Sequence, residues 1–282
     1  IFIPGVGYEH GGAKRWINIG FASFQPAELL KFGFILYAAT WFSWLGKKVK
    51  DIRFSTIPLF IMFAIAGVLL ILQPDTKSLV LIIISGGMML FVSGTPMKHI
   101  MLIGFSSIFI ILSIGFFTPY IRDRVTTFLD PSHDPRGTSY QIQQSLIAIG
   151  SGGLSGRGVG QSIQKFGYLP EPQGDSIFAI ISEETGFIGT TFIVLLYLAF
   201  LLRGIRIAYY APDRFARLFV VGSITMIWFQ TFLNIASITN LIPLTGVPLV
   251  FMSHGGTSLM ISMAMVGIVL NISKFQREEI KN

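Results

Sequence analysis

Acidic and basic side chains stand at the edges of long apolar segments in this chain of 282 residues, where lipid makes charge costly. Asp175 closes a glycine-rich stretch just before an apolar segment, with Lys165 and Glu171 shortly before it, and Lys14 and Arg15 lie near the start of the chain. A carboxylate with convergent cations suits a reaction in which a base deprotonates a hydroxyl and an anionic group leaves. The second reading of Asp175 is a helix N-cap that stabilises by about 1 kcal/mol, and the sequence leaves both open.

Two more pairs of charged residues lie within apolar segments. Glu28 and Lys31 are three residues apart, so they share one helical face and can form an ion pair. A charged residue inside a membrane span is by default a candidate functional residue. The alternative for Glu28 and Lys31 is a buried ion pair that orients the helix. Glu183 and Glu184 stand about two turns into a later apolar segment, where packing, a hydrogen bond to the backbone and chemistry are all open.

Composition places the chain in a membrane. It is 52% hydrophobic and 12% charged with a mean hydropathy of +0.67, which is too apolar for an ordinary soluble domain. The net charge of +7 comes from cations in short loops between apolar runs, which favours a role in membrane topology over nucleic-acid binding. The sequence contains no cysteine, which excludes disulfides and thiolate chemistry. The histidines lack metal-ligand spacing, so no protein metal site is predicted.

The pattern predicts an all-α fold, a polytopic transmembrane helical bundle. Its seven predicted membrane helices run approximately over residues 27–45, 57–72, 78–92, 99–117, 177–202, 215–238 and 258–272. One long connection, residues 118–175, is glycine-rich and carries interleaved aromatic and aliphatic residues, which favours a partly ordered loop lying against the membrane surface. No signal peptide and no native start are recognised, and the chain is expected to be truncated at its N-terminus.

Lysine and arginine residues set the predicted orientation. They occur in the loops around residues 47–53, at residue 98, around residues 203–217 and in the C-terminal tail, so these segments are predicted to be cytoplasmic. The N-terminal segment, the polar break at residues 73–77, the long loop and the connection at residues 239–257 then face outward. Asp175 is therefore predicted at the outer membrane boundary.

The chain resembles a known family in an ordered series of motifs. These are Gly12-Ala-Lys14-Arg15-Trp16-Ile17, Phe24-Gln25-Pro26-Ala-Glu28-Leu-Leu-Lys31, Gln73-Pro74-Asp75, the stretch from Arg124 through Asp134-Pro135 to Gln144-Ser-Leu146, Tyr168-Leu-Pro-Glu171, Asp175-Ser-Ile-Phe178, Glu183-Glu184, Thr245-Gly246 and Ser253-x-Gly255-Gly256. They resemble the SEDS proteins of shape, elongation, division and sporulation, and the likeness spans residues 1–282 as a single membrane domain. Family members have ten helices, so the resemblance implies that seven are present here. The sequence departs from the family pattern at Ser176, where an aromatic residue is common, and at Thr76-Lys77, where Leu-Gly is common.

The resemblance implies a peptidoglycan glycosyltransferase that joins lipid II, a disaccharide-pentapeptide on undecaprenyl diphosphate, into glycan strands at the outer face of the bacterial cytoplasmic membrane. The family's essential loop aspartate falls on Asp175, which would act as general base, or as an acid-stabilising partner, for the acceptor hydroxyl. Lys14, Arg15 and Lys165 would hold the diphosphate. A divalent cation, Mg²⁺ or Mn²⁺, would assist at the diphosphate. The remaining substrate-binding candidates are Trp16, which would stack against sugar or lipid, Glu28 and Lys31, which would shape the cavity, and Gln25, Glu171 and Ser253.

Within the family, Gln144-Ser-Leu146 and Gly160-Gln-Ser-Ile-Gln-Lys165 are more similar to the division and sporulation branches than to the elongation branch. The resemblance therefore implies septal wall synthesis, with a class B penicillin-binding protein transpeptidase and other divisome proteins as partners. Three rivals stay open: a transporter that flips lipid II, an elongation-type polymerase, and a scaffold that recruits the transpeptidase. Ionisable residues at the outer boundary rather than the midplane favour chemistry over transport.

Overall fold

A computed structural model describes residues 1, 7–10, 13–18, 20, 23–130 and 137–276. Gly12, the Asp134-Pro135 pair and the tail cations Arg277 and Lys281, which entered the motif and orientation predictions, lie outside these residues, as does the side chain of Lys14. The N-terminal segment forms a small antiparallel sheet in the order β1 (Gly7–His10), β2 (Ala13–Asn18) and β3 (Ser23–Phe24). This sheet was not predicted, although the Gly-Gly dipeptide at residues 11–12 is a hairpin signal in the sequence.

All seven predicted membrane helices are present, and the described residues contain two helices more. The nine are α1 (Pro26–Leu45), α2 (Thr56–Ile71), α3 (Thr76–Val92), α4 (Met97–Phe117), α5 (Pro119–Leu129), α6 (Thr138–Ser151), α7 (Ile177–Tyr209), α8 (Arg214–Ile238) and α9 (Gly256–Lys274). The additional helices α5 and α6 lie in the predicted loop at residues 118–175, so the total number of helices exceeds the seven membrane helices that were predicted. Both are too short to span a bilayer, which is why a search for long apolar runs passed over them.

Within the part of the chain that the structure describes, five segments are long and apolar enough to cross a membrane: α1 with the 3₁₀ helix that follows it (Pro26–Lys50), α4, α7, α8 and α9. The apolar helices α2 and α3 have 16 and 17 residues. Local sequence explains several helix starts. Pro26 occupies the first turn of α1, where its missing N–H costs nothing, and Asp75 caps α3 by accepting hydrogen bonds from the N–H and hydroxyl of Ser78.

The chain divides into two compact units. Unit 1 comprises residues 1–107, 201–227 and 256–282. Its core is packed tightly around small residues: a Cβ on Gly86 would lie 2.8 Å from Phe34 and 2.7 Å from Phe63, whose rings stack at 5.6 Å. Gly222 likewise lies against Ile35 and Met89. Glycine at these positions lets apolar helices approach closely, as is common in membranes.

Unit 2 comprises residues 108–200 and 228–255. Its core gathers Ile142 and Ala148 of α6, residues of the first turns of α7, and the ends of the connection after α8; the full cluster is Ile142, Ala148, Leu169, Phe178, Ala179, Ile180, Tyr197, Ile238, Leu244 and Leu249. The predicted long loop is therefore built into a hydrophobic core. This agrees with the prediction of a partly ordered segment.

Candidate active site

Asp175 stands two residues before the start of α7, and a buried amide fixes its backbone. Asn234 of α8 is fully buried, and its Nδ2 donates to the carbonyl oxygens of Asp175 and Val247, both at 2.7 Å. One side chain thus joins the end of the glycine-rich segment to the connection that follows α8. The position of Asp175 is set by tertiary hydrogen bonds.

The carboxylate of Asp175 lies beside the guanidinium of Arg124 from α5. Asp175 Oδ2 is 3.3 Å, and both Nη atoms of Arg124 are 3.6 Å, from the position that a Cβ on Gly246 would occupy. Arg124 Nη1 also donates to the carbonyl of Leu244 at 2.5 Å, and its guanidinium lies 4.4 Å from the ring centre of Tyr120. These contacts hold the cation in place, where it stabilises negative charge on and around Asp175.

Ser253, predicted to bind substrate, bonds to the backbone on the other side of Asp175. Its hydroxyl donates to the carbonyl of Gly174 and accepts from the N–H of Leu249, both at 2.7 Å. The next residue, His254, donates its backbone N–H to the carbonyl of Gln173 at 2.7 Å. In this structure Ser253 therefore positions the segment that carries Asp175, and its contact with substrate stays a prediction.

Glu183 anchors the glycine-rich loop to α7. Its side chain is 1% exposed and accepts the hydroxyl of Ser162 at 2.5 Å and the backbone N–H groups of Ile163 and Gln164 at 3.2 and 3.3 Å. The guanidinium of Arg157 lies 3.4 Å from the same carboxylate. Of the three roles left open by the sequence, hydrogen bonding to the backbone is the one that these contacts display.

Lys165 belongs to the same anchor. Its Nζ lies 2.8 Å from Glu184 Oε1 and donates to the carbonyl of Gly160 at 2.6 Å. Glu171, another candidate, is exposed, and its carbonyl accepts the N–H groups of Gly174 and Ser176 in the turn before α7. Lys165 thus neutralises an acid of the loop anchor, and its predicted role at a diphosphate stays a prediction.

Glycine in this loop is required by close backbone contact. A Cβ on Gly156 would lie 2.1 Å from the carbonyl oxygen of Glu184, and the φ of Gly156 is +78°. Both the space and the backbone conformation exclude larger residues. Gly186, with φ +65° and ψ −167°, interrupts the helical backbone of α7 at the same contact.

The candidate residues of unit 1 form their own contacts. Lys31 Nζ and Glu28 Oε1 are 2.9 Å apart, and both side chains are less than a tenth exposed. Arg15 Nε and Nη2 donate to the carbonyls of Gln73 and Pro74 at 3.0 and 2.6 Å. The other candidates with described side chains are Trp16, half-buried on β2 opposite Tyr8, and Gln25, whose N–H donates to the hydroxyl of Thr257 at 3.3 Å.

The donor set around Asp175 does not fit a metal held by the protein. Arg124, a cation, is the charged group that adjoins its carboxylate at Gly246, and a guanidinium repels a metal ion. Across the described residues there is no group of three or more His, Cys, Asp or Glu side chains that could hold a metal ion.

Three residues around Asp175 were not among the predicted site residues. Arg124 and Gly246 were quoted in family motifs without a role, and Asn234 was not singled out. Asn234 had a detectable signal. Gln230, Asn234 and Ser237 recur every three or four residues in otherwise apolar α8, which places a polar stripe on one helical face.

The fold and these contacts define a polytopic helical membrane protein with an acid and a guanidinium held beside each other by tertiary hydrogen bonds. The chain belongs to the FtsW/RodA/SpoVE family, whose model, described as cell cycle protein, matches residues 1–278. Its relatives include stage V sporulation protein E of Bacillus subtilis, which is 42% identical over 98% of this chain and 76% of its own length. A probable peptidoglycan glycosyltransferase FtsW of Geobacter sulfurreducens is 37% identical over 97% of this chain and 73% of its own length.

Solved structures show the same fold. A chain from a structure on the coordination of polymerization and crosslinking by a peptidoglycan synthase complex matches with a TM-score of 0.78 and 27% identity, over 98% of this chain and 77% of its own. The rod shape determining protein RodA of Thermus thermophilus matches with a TM-score of 0.62 and 26% identity, over 98% and 74% of the two chains. The predicted family and fold class are thereby confirmed.

Proposed function

We propose that this protein is a peptidoglycan glycosyltransferase that polymerises lipid II, with Asp175 as its catalytic base. The observation that carries the proposal is the juxtaposition of the Asp175 carboxylate with the Arg124 guanidinium at Gly246. The family and the relatives named as peptidoglycan glycosyltransferases support the same reaction class. An acid held beside a fixed cation suits glycosyl transfer to a hydroxyl with loss of a diphosphate, because the acid can accept the proton and the cation can stabilise the leaving anion.

In the proposed reaction, Asp175 accepts the proton of the acceptor sugar hydroxyl. The hydroxyl oxygen forms a bond to the anomeric carbon of the donor sugar as the bond from that carbon to the diphosphate oxygen breaks. The electron pair leaves with the undecaprenyl diphosphate, and Arg124 stabilises the developing negative charge. Because Leu244 and Tyr120 already hold Arg124, little reorganisation is needed when the charge develops.

The other predicted substrate contacts belong to this proposal. Lys14, Arg15 and Trp16 would bind the diphosphate, the sugar or the lipid, and the buried pair of Glu28 and Lys31 would shape the cavity. A Mg²⁺ or Mn²⁺ ion would arrive bound to the substrate diphosphate, since the described residues offer no cluster of ligands for it. Removing free divalent cations should then lower activity without changing the thermal stability of the protein.

We place the activity at the outer face of the bacterial cytoplasmic membrane and, by branch, in septal wall synthesis. The relatives named stage V sporulation protein E and FtsW support the branch, at 42% and 37% identity. The peptidoglycan synthase complex supports a class B penicillin-binding protein as a partner, with further divisome proteins at the septum. A fluorescent fusion should concentrate at midcell, and an even distribution along the lateral wall would favour the elongation branch.

Glycan synthesis by purified protein tests the proposal. The full-length protein, reconstituted with lipid II, should produce glycan strands, and Asp175→Asn should lower the rate by at least about 10³-fold, because the amide keeps the shape but cannot accept the proton. Its melting temperature should stay within a few degrees of wild type, which separates lost chemistry from lost folding. Asp123→Asn on exposed α5 is the matched control and should keep full activity. Normal synthesis by Asp175→Asn would refute the assignment.

The transporter alternative is tested in the same preparation. Acids within an apolar segment, such as Glu183 and Glu184, can mark a substrate path through a membrane. In this structure Glu183 and Glu184 contact the glycine-rich loop, Arg157 and Lys165. A transporter would move fluorescent lipid II between leaflets without making glycan strands. Lipid movement without polymerisation would contradict the enzymatic proposal and support a transporter. Recruitment of a transpeptidase without lipid movement or polymerisation would contradict it and support a scaffold.

A further inference from the structure

A cavity of about 540 Å³ lies within unit 1 where several helices end. Four segments contribute to it: the 3₁₀ helix after α1, the end of α3 with the turn that follows, the turn between α7 and α8, and the first turns of α8. Its charged and hydroxyl-bearing lining residues are Lys47, Lys50, Ser93, Asp213, Arg214 and Arg217. It contains none of the residues assigned to the reaction above, so it is a separate feature of the molecule.

Positive charge dominates this cavity. Two lysines and two arginines line it, against a single acid, Asp213. The acid is already engaged, because Asp213 Oδ1 accepts the N–H of Ala216 at 2.7 Å in the first turn of α8. Four cations and one acid, which already caps a helix, make this cavity favourable for an anion. Arginine and lysine together are typical ligands of a phosphate group.

One of the arginines is positioned in advance. Arg214 is partly buried, and its Nη2 donates to the carbonyl of Ser93 at 2.6 Å. This bond joins the turn after α3 to the start of α8 and fixes the guanidinium at the cavity wall. A cation that is held before its ligand arrives loses less entropy on binding.

Aromatic side chains place the cavity at the level of lipid headgroups. Trp44 is 72% exposed three residues before Lys47, and Tyr209 is 73% exposed two residues before Ala211. Exposed tryptophan and tyrosine at the ends of membrane helices are typical of the interface between lipid and water. Loops rich in lysine and arginine indicate the cytoplasmic leaflet, which carries anionic lipids.

We propose that this cavity binds the phosphate group of an anionic phospholipid from the cytoplasmic leaflet. Its volume suits a small headgroup such as phosphoglycerol. The preceding turns of α7 expose Leu202 and Ile205, which offer apolar surface for the acyl chains. Basic pockets between membrane helices on the cytoplasmic side are known sites for anionic headgroups. A free phosphate compound shares this chemistry, and the test separates the two sources.

Native mass spectrometry of the full-length protein with equal amounts of phosphatidylglycerol and phosphatidylcholine measures the preference. Wild type should retain phosphatidylglycerol selectively. In the double variant Lys47→Gln/Arg217→Gln, the ratio of retained phosphatidylglycerol to retained phosphatidylcholine should fall by about five-fold or more for each cation removed. The matched control Lys98→Gln/Arg203→Gln removes the same charge from exposed cytoplasmic residues outside the cavity lining and should retain the selectivity. The charge-preserving variant Lys47→Arg/Arg217→Lys should also retain it.

Three results would overturn the proposal. The first is equal retention of both lipids by wild type, and the second is an equal loss of selectivity in the control and the cavity variant. In the third, millimolar sodium phosphate displaces the lipid and stabilises the protein through Lys47 and Arg217, which would assign the cavity to a soluble phosphate compound. Glycan synthesis by each variant confirms that the variant is folded. Lipid binding and glycan synthesis can be lost independently, because the cavity contains no catalytic residue.

Discussion

The carboxylate of Asp175 and the guanidinium of Arg124 share the space above Gly246. Asp175 Oδ2 lies 3.3 Å, and Arg124 Nη1 3.6 Å, from the point where a Cβ on that glycine would stand. The acid precedes α7 and the cation comes from α5, so the pair forms only when the segment between α4 and α7 is folded. The proposed activity therefore depends on contacts between the segment that joins α4 to α7 and the connection that follows α8.

Replacing Arg124 should lower turnover more than substrate affinity. Arg124→Gln removes the cation that we assign to the leaving diphosphate, and loss of one such fixed group typically costs about 10²- to 10³-fold in kcat. Arg124→Lys keeps the charge but loses the planar, multidentate donor, so an intermediate rate is expected. Steady-state glycan synthesis with varied lipid II separates kcat from KM.

Arg122→Gln is the matched control for Arg124, because Arg122 lies on the same helix and is exposed. It should behave as wild type. If Arg122→Gln and Arg124→Gln reduced the rate equally, general charge on α5 would matter rather than the contact with Asp175. A pure KM effect for Arg124→Gln would assign Arg124 to substrate binding alone.

Gly246→Ala should displace the Asp175 carboxylate. The new Cβ would stand 3.3 Å from Asp175 Oδ2, which is a tight contact, and the φ of +63° strains any L side chain. We expect activity to fall by at least about ten-fold, with a loss of about 1 kcal/mol in the free energy of unfolding.

Gly153→Ala tests the effect of backbone strain without the contact with Asp175 that Gly246→Ala introduces. Gly153 also has a positive φ, +54°, but a Cβ there meets nothing within 4 Å. It should show a similar loss of stability by thermal unfolding in detergent, with nearly normal glycan synthesis. If both variants lost activity to the same extent, backbone strain rather than contact with Asp175 would explain Gly246→Ala.

Sequence reasoning predicted the long helices well because each needs a run of apolar residues that is visible without any tertiary information. Residues 57–72, for example, were predicted as a helix, and α2 runs over Thr56–Ile71. The short helices α5 and α6 were missed because neither has an apolar run long enough to span a bilayer. Helix α6 depends on packing for its stability, since Ile142 and Ala148 are buried in the core of unit 2.

The candidate site was predicted in part. Asp175 could be singled out because an acid just before an apolar helix is conspicuous in one sequence. The role of Arg124 was not predicted, although a family motif starts at this residue. In the structure Arg124 contacts Leu244, which lies far along the chain, and a contact of this kind is not visible in one sequence. Lys165 was predicted to face the diphosphate, and its nearness in sequence to Asp175 favoured that role, whereas in the structure it forms an ion pair with Glu184.

Glu183→Gln should loosen the glycine-rich loop. The buried carboxylate accepts several hydrogen bonds from residues 162–164 and lies beside Arg157, so the amide would place a donor where acceptors are needed. We expect a loss of about 2 to 3 kcal/mol in the free energy of unfolding. Limited trypsin digestion should then cut faster at Arg157 and Lys165. Glu184→Gln breaks one partly exposed ion pair and should show a smaller change, and unchanged digestion of Glu183→Gln would contradict the anchor.

Substitutions of the buried pair of Glu28 and Lys31 test whether the pair has a structural role alone or also a role in substrate binding. The charges are 2.9 Å apart and less than a tenth exposed, so Glu28→Gln or Lys31→Met alone would leave one buried charge without its partner on the helix. Each single change should lower the free energy of unfolding by about 3 kcal/mol, while Glu28→Gln/Lys31→Met removes both charges and should recover most of that loss. Thermal unfolding of the four proteins in detergent gives the coupling energy. A purely structural pair predicts that the double variant also recovers glycan synthesis. We expect instead that its stability returns while its KM for lipid II stays raised, because the predicted cavity loses its charged wall, and full recovery of both would remove Glu28 and Lys31 from the substrate-binding set.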